Sequence, residues 1–168
     1  MCWLRSVRCL GRLVTPAPLL CATFATTVPD SAGSLVYIDT SAVVKLVFAE
    51  VESAALRTWL SRSTSALVSS ALLEVELARA MVRARSQGAG SVADSAVRSL
   101  LDAIDLVDLD RDQLKVASEL SDPYLRALDA IHLAAALSIR DRIGAVLTYD
   151  VRMTQAAQAR SFSVIAPS

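Results

Sequence analysis

The stretch Leu35-Val-Tyr-Ile-Asp-Thr-Ser-Ala-Val-Val-Lys-Leu46 passes from a short apolar run of strand type to a helical pattern, with an aspartate at the join. Residues 35–38 read as a buried strand, Ser41 offers a helix cap, and residues 42–48 and 52–62 continue as helix, with Leu56, Trp59 and Leu60 at helical spacing. The alternation repeats outward from there. Residues 66–68 read as a second strand, followed by a helix over 70–85 that Gly88 and Gly90 stop and by another over 91–103. Residues 104–108 alternate as a third strand does, and the helix over 111–121 breaks at Asp122-Pro123. The most apolar helix spans 126–140 and is closed by Gly144; strand 145–148, helix 151–160 and strand 162–165 complete the chain. No two strands are joined by a hairpin-length loop, so the pattern predicts an α/β layer structure around a mostly parallel sheet of about five short strands.

The sequence has 168 residues, 17 Lys+Arg against 17 Asp+Glu, and 54% hydrophobic residues, which suits one domain with a core of its own. Bulk electrostatic capture of nucleic acid calls for a basic excess, so any work on a polynucleotide must come from a local site. The neutral total is uneven along the chain. Cys2, Cys9, Cys21 and Arg5, Arg8, Arg12 all fall in the first 34 residues, against one acid, Asp30, which leaves 14 basic and 16 acidic side chains for a cysteine-free body. Three clustered cysteines do not form a paired framework, and the body gives no sign of an oxidising compartment. Residues 13–29 are uncharged behind a basic start, the order of a secretory peptide, but Pro16, Pro18, Pro29 and four threonines interrupt them. Residues 1–34 are therefore read as a disordered extension or a start placed too early, with a secretion signal as the alternative, and residues 35–168 as the folded domain. A cytoplasmic protein without a membrane span is expected.

Open parallel sheets place their sites outside the carboxyl ends of the strands. Asp39 directly follows the first predicted strand, and Asp150 stands two residues beyond the fourth. Either alone reads as a turn former or helix cap; their repetition points to a site. Asp129 enters the first turn of the apolar helix, where a carboxylate needs a cation, hydrogen bonds or the helix N-terminus to compensate it. Glu74 and Glu76 lie about 200° apart on a helix, so only one reaches a shared pocket, and the neighbours Leu72 and Ala80 favour Glu76. Four converging carboxylates would repel one another without a hard cation among them, which suits Mg²⁺ or Mn²⁺. Zinc is disfavoured, because the body has no cysteine and His132 is the sole histidine. One histidine also excludes two-histidine ribonuclease chemistry; His132, three residues after Asp129, reads as a satisfied packing residue near the pocket.

The segments Val36-Tyr-Ile-Asp-Thr-Ser-Ala-Val-Val-Lys-Leu46, Ser70-Ala-Leu-Leu-Glu-Val-Glu-Leu-Ala-Arg-Ala80, Leu125-Arg-Ala-Leu-Asp-Ala-Ile-His-Leu-Ala134 and Leu147-Thr-Tyr-Asp-Val-Arg-Met153 resemble, in order and spacing, the PIN-domain ribonucleases, and most of all the VapC toxins of bacterial toxin–antitoxin pairs. The resemblance runs from about Leu35 to the C-terminus, and Leu-Asp-Ala-Ile-His-Leu-Ala is its most specific piece. It implies a three-layer α/β/α fold whose four acidic positions fall on Asp39, Glu76, Asp129 and Asp150. Supporting hydroxyls would be Thr40 or Ser41 and Thr148. It also implies a homodimer and a cognate VapB-like antitoxin, alone or as a toxin–antitoxin hetero-oligomer. The leader of 34 residues departs from the usual pattern, in which the first strand begins almost at the initiator.

The chemistry expected is Mg²⁺- or Mn²⁺-dependent hydrolysis of RNA phosphodiesters, with one or two ions held by Asp39, Asp129 and Asp150 and with Glu76 on a metal or its water. Lys45, Arg79, Arg83 and Arg152 are candidates to position the RNA backbone by sequence proximity. Two alternatives stand beside it: a PIN-like binding or scaffold module, and an Asp-based α/β phosphatase. The latter resembles D-x-D-x-T after its first strand, whereas this chain reads Asp39-Thr-Ser-Ala-Val.

Overall fold

The computed structural model describes residues 35–88 and 94–168. The readings made for residues 1–34, Gly90 and the helix start at Ser91 lie outside them. The order is β1 (Leu35–Ile38), α1 (Thr40–Val47), α2 (Ser53–Arg62), β2 (Leu67–Ser70), α3 (Leu72–Ser86), α4 (Asp94–Asp102), β3 (Ile104–Val107), α5 (Arg111–Glu119), α6 (Ala127–Ser138), β4 (Ile143–Leu147), α7 (Val151–Gln158) and β5 (Val164–Ile165). All strand pairs are parallel, in the spatial order β3-β2-β1-β4-β5.

Strand alternation sends neighbouring side chains to opposite faces, and two cores result. Tyr37, Val68 and Val146 pack with Leu133, Ala135 and Ala136 of α6 and with Met153, Ala156 and Ala157 of α7. Val36, Ile38, Ile104 and Leu147 pack with Ala42 and Val43 of α1, Leu56 of α2, and Leu73 and Leu77 of α3. The fold is the three-layer α/β/α arrangement expected. The small face of α6, built from alanines, lets that helix lie close on the sheet, which explains why its apolar run is so poor in large side chains.

Two local expectations are corrected. Ser41 is not the cap of α1: Asp39 is, accepting the backbone N–H of Ser41, so the helix begins at Thr40. Gly144 does not close α6, which ends at Ser138 and gives way to a 3-10 turn over Arg140–Arg142. Gly144 instead lies in β4, where Leu35 pairs with Ile143 and Val36 with Ala145, so the glycine is the extra residue of a bulge. Gly88, by contrast, sits just beyond α3 at φ +75°, the left-handed conformation in which glycine ends helices.

The strand order fixes the site. From β1 the chain steps outward to β2 and β3, then crosses back to β4 on the other side of β1. Connections leave the carboxyl ends of β1 and β4 toward opposite faces, which opens a crevice between them.

Candidate active site

Asp39 stands at the end of β1, buried under the mouth of that crevice. Its Oδ2 accepts hydrogen bonds from Ser41 Oγ (2.6 Å), Thr148 Oγ1 (2.9 Å) and Ser41 N (3.3 Å). The two hydroxyls also stitch the strand ends together: Tyr149 N donates to Ser41 Oγ at 2.9 Å and Asp150 N to Thr148 Oγ1 at 3.1 Å. Asp39 Oδ1 makes no hydrogen bond among the described residues; His132 Nε2 stands 4.0 Å from it.

Asp150 caps α7, its Oδ1 accepting the N–H groups of Arg152 (2.7 Å) and Met153 (3.0 Å). Asp129, in the first turn of α6, accepts Arg126 N on Oδ2 at 3.3 Å. The ordinary cap role that each aspartate suggests in isolation is therefore real. It occupies one oxygen of each carboxylate and leaves the other without a hydrogen bond among the described residues. Asp129 also registers the company it keeps. Burial, then the charge of Asp150, then that of Asp39 hold its carboxyl above the usual aspartate value, against the opposing pull of the Arg126 backbone N–H and side chain.

Glu76 lies in the second turn of α3, facing inward, while Glu74 is exposed, as the helical spacing predicts. Its Oε2 takes hydrogen bonds from Thr40 Oγ1 and from His132 Nε2, the latter at 2.8 Å. Burial works to raise this carboxyl, but the hydrogen bonds from His132 and Thr40, with electrostatic attraction to the His132 ring N–H and to Arg83, outweigh it and hold the group below the usual glutamate value. His132 is buried and satisfied, as expected of a packing residue. It also touches the site directly, which spacing alone does not reveal. Its Nδ1 meets the hydroxyl of Tyr37 at 2.8 Å, a residue hidden from sequence reading inside an apolar strand.

The four basic candidates divide. Lys45 is committed elsewhere: its Nζ pairs with Glu50 (2.6 Å) and Glu52 (2.8 Å) and lies over the Tyr149 ring, with the side chain only 12% exposed. Arg79 and Arg83 are exposed on α3, and Arg83 is near enough to Glu76 to bear on its charge. Arg152, beside Asp150, has a buried Nε with no hydrogen-bond partner among the described residues.

The donor set fits a hard cation in its chemistry, being all carboxylate oxygen with unused lone pairs facing like charge. Among the described residues, no three His, Cys, Asp or Glu side chains close on one point as they do around a bound ion.

The sequence matches the PIN domain over residues 36–159. The chain belongs to the PIN-domain family, in its VapC branch. Among curated relatives from Mycobacterium tuberculosis, Ribonuclease VapC35 is 41% identical over 136 residues, which cover 79% of this chain and 97% of the relative. Ribonuclease VapC46 is 43% identical over 133 residues, covering 79% and 98%. Two solved structures share the PIN fold at low identity. A toxin–antitoxin complex from Klebsiella pneumoniae aligns at TM-score 0.54 and 20% identity, over 80% of this chain and 98% of that one. VapBC2 from Rickettsia felis, bound to a DNA fragment from its promoter, aligns at TM-score 0.56 and 12% identity, over 80% and 99%. In this PIN domain, the stretch 36–159 contains all four acidic candidates and the whole hydroxyl lattice around Asp39.

Proposed function

We propose that this PIN domain is an endoribonuclease toxin, dependent on Mg²⁺ or Mn²⁺ and neutralised by a VapB-like antitoxin in the cytoplasm. The observation that carries the proposal is the set of three aspartates at the β1/β4 crevice, each with one oxygen used to hold the fold and one left over. Relatives that bear the name ribonuclease at 41% and 43% identity support the same reading.

Asp39, Asp129 and Asp150 would hold one or two ions, with Glu76 on an ion or its water, and the ion would supply Lewis-acid polarisation of the phosphate and a more acidic water. The chain's own contributions are distinct. Ser41 and Thr148 lock the Asp39 carboxylate by filling Oδ2, so that Oδ1 is the oxygen offered to the crevice. Thr40 and His132 do the same at Glu76. Arg79, Arg83 and Arg152 are the cations left to meet an RNA backbone; Lys45, held by two glutamates, is better placed to brace α1 against α2. A cationic side chain from an antitoxin would neutralise the same acids and obstruct the phosphate path, and a homodimer or a toxin–antitoxin hetero-oligomer is the expected assembly.

Induced expression followed by sequencing of RNA 5′ ends tests the activity. New ends appear with the parent and not with Asp39→Asn; identical profiles for the two contradict it. One observation favours a second reading, a binding or scaffold module: the carboxylates do not close on a common point among the described residues. Calorimetric titration with Mn²⁺ separates the two, since a scaffold shows no heat of binding that Asp39→Asn removes. The phosphatase alternative finds no support in the PIN-domain fold.

A further inference from the structure

Every hydrogen along the path from the sheet to Glu76 can be assigned from geometry. The Tyr37 side chain is fully buried, so its hydroxyl has no water to turn to. Its oxygen accepts the backbone N–H of Ser70 at 3.1 Å. Ser69 works to lower the pKa of the phenol, the effect of a donor facing its oxygen and not of an acceptor of its proton, and the buried Ser69 Oγ has no partner in hydrogen-bond geometry among the described residues. Among the described residues, the remaining acceptor within reach is His132 Nδ1, at 2.8 Å. If Nδ1 carried a hydrogen instead, the Tyr37 oxygen would face two donors and its own proton would be buried without an acceptor, which costs about 1–3 kcal/mol.

The opposite side of the ring agrees. Thr40 directs its hydroxyl hydrogen to Glu76 Oε2, so toward His132 Nε2, 3.2 Å away, it presents lone pairs. Glu76 Oε2 presents lone pairs to the same nitrogen at 2.8 Å. Two acceptors around Nε2 require a hydrogen on it.

We propose that Tyr37 fixes His132 as the Nε2–H tautomer, and that the ring so fixed is a positioning residue that fills Glu76 Oε2 and leaves Oε1 to the crevice. The tautomer follows from these contacts alone; the consequence for metal rests on the function proposed above. A relay of this kind works as the groups behind metal ligands do elsewhere, by orienting a carboxylate, and its loss lowers metal affinity by about 10–100-fold. Neither Tyr37 nor His132 touches substrate in this scheme.

His132 is the sole histidine of the chain, so its ring nitrogens can be read by long-range ¹H–¹⁵N correlation at neutral pH without assignment. The metal-free full-length parent shows a bare Nδ1 and a protonated Nε2, and Tyr37→Phe shows a mixture of tautomers. Thermal melts check that the variant is folded. In Mn²⁺ titrations, His132→Leu binds at least about tenfold more weakly than the parent. His132→Gln, whose amide N–H₂ reaches the place of Nε2, recovers most of that loss. An Nδ1–H or doubly protonated ring in the parent overturns the relay whatever the metal does, as does an unchanged tautomer in Tyr37→Phe. Parent-like Mn²⁺ binding by His132→Leu overturns the positioning role. A parent that takes up no Mn²⁺ overturns the metal reading and the role of Glu76 with it.

Discussion

At neutral pH the charged carboxyl of Asp129 works against the fold. Its carboxyl is raised by burial and by the charges of Asp150 and Asp39. A carboxylate with a folded-state pKa above its unfolded value destabilises the fold wherever pH exceeds both values, and the penalty vanishes below the unfolded value, where both states are protonated. Asp129→Asn, whose amide oxygen still accepts the N–H of Arg126, is therefore expected to raise the melting temperature at neutral pH in metal-free buffer. The gain should fade as pH falls through the ordinary aspartate range; a variant that melts below its parent at pH 7 contradicts this. Asp39→Asn keeps an oxygen for Ser41 and Thr148 but loses the charge, so it should fold and yet lose at least roughly a hundredfold in RNA cleavage rate, the scale of losing one preorganised electrostatic group. The four acids are legible in the sequence because each has a recognisable place, at a strand end, in a helix first turn or on an inward helical position. Tyr37 is not, because its partner lies 95 residues away and its neighbours in β1 are all apolar.

At the scale of elements, the carboxyl ends of β1 and β4 are joined by side chains as well as by the ladder. Thr148→Val removes a hydroxyl that donates to Asp39 and accepts from Asp150 N, leaving both short of a partner. A loss of about 1–3 kcal/mol in urea unfolding is expected; a change within error would mean that the lattice does not hold the strands. Leu133→Ala, at a fully buried position in α6, should cost about 2–5 kcal/mol. Strands and helices were readable here because their periods differ, and all five strands lie within two residues of their predicted starts. Boundaries were readable only where one residue had one role. Ser41 and Asp39 are both good caps, and in the fold Asp39 takes the role while the Ser41 hydroxyl donates to it. Gly144 suits a helix end and a bulge equally, and the pairing with β1 decides for the bulge.

For the whole molecule, the strand order β3-β2-β1-β4-β5 brings four distant acids to one crevice, and periodicity carries no information about that order. Alternation predicts a parallel sheet; which strands flank β1 emerges from the packing of α1, α2 and α3 on one face and α6 and α7 on the other. The neutral charge total is likewise resolved by position, since a slightly acidic body concentrates its most informative acids at one edge. If that edge binds a divalent ion, the ion stabilises the fold by mass action, by about 3 kcal/mol at a hundredfold excess over Kd. Mn²⁺ should thus raise the melting temperature of the parent and leave that of Asp39→Asn nearly unmoved; equal shifts would place the ion elsewhere. The most direct test is incubation of labelled RNA with the purified full-length protein in Mn²⁺, beside the same protein in EDTA and beside Asp39→Asn. Cleavage by the parent in Mn²⁺ alone is the predicted result; RNA left intact in all three, or cut equally by Asp39→Asn, would contradict it.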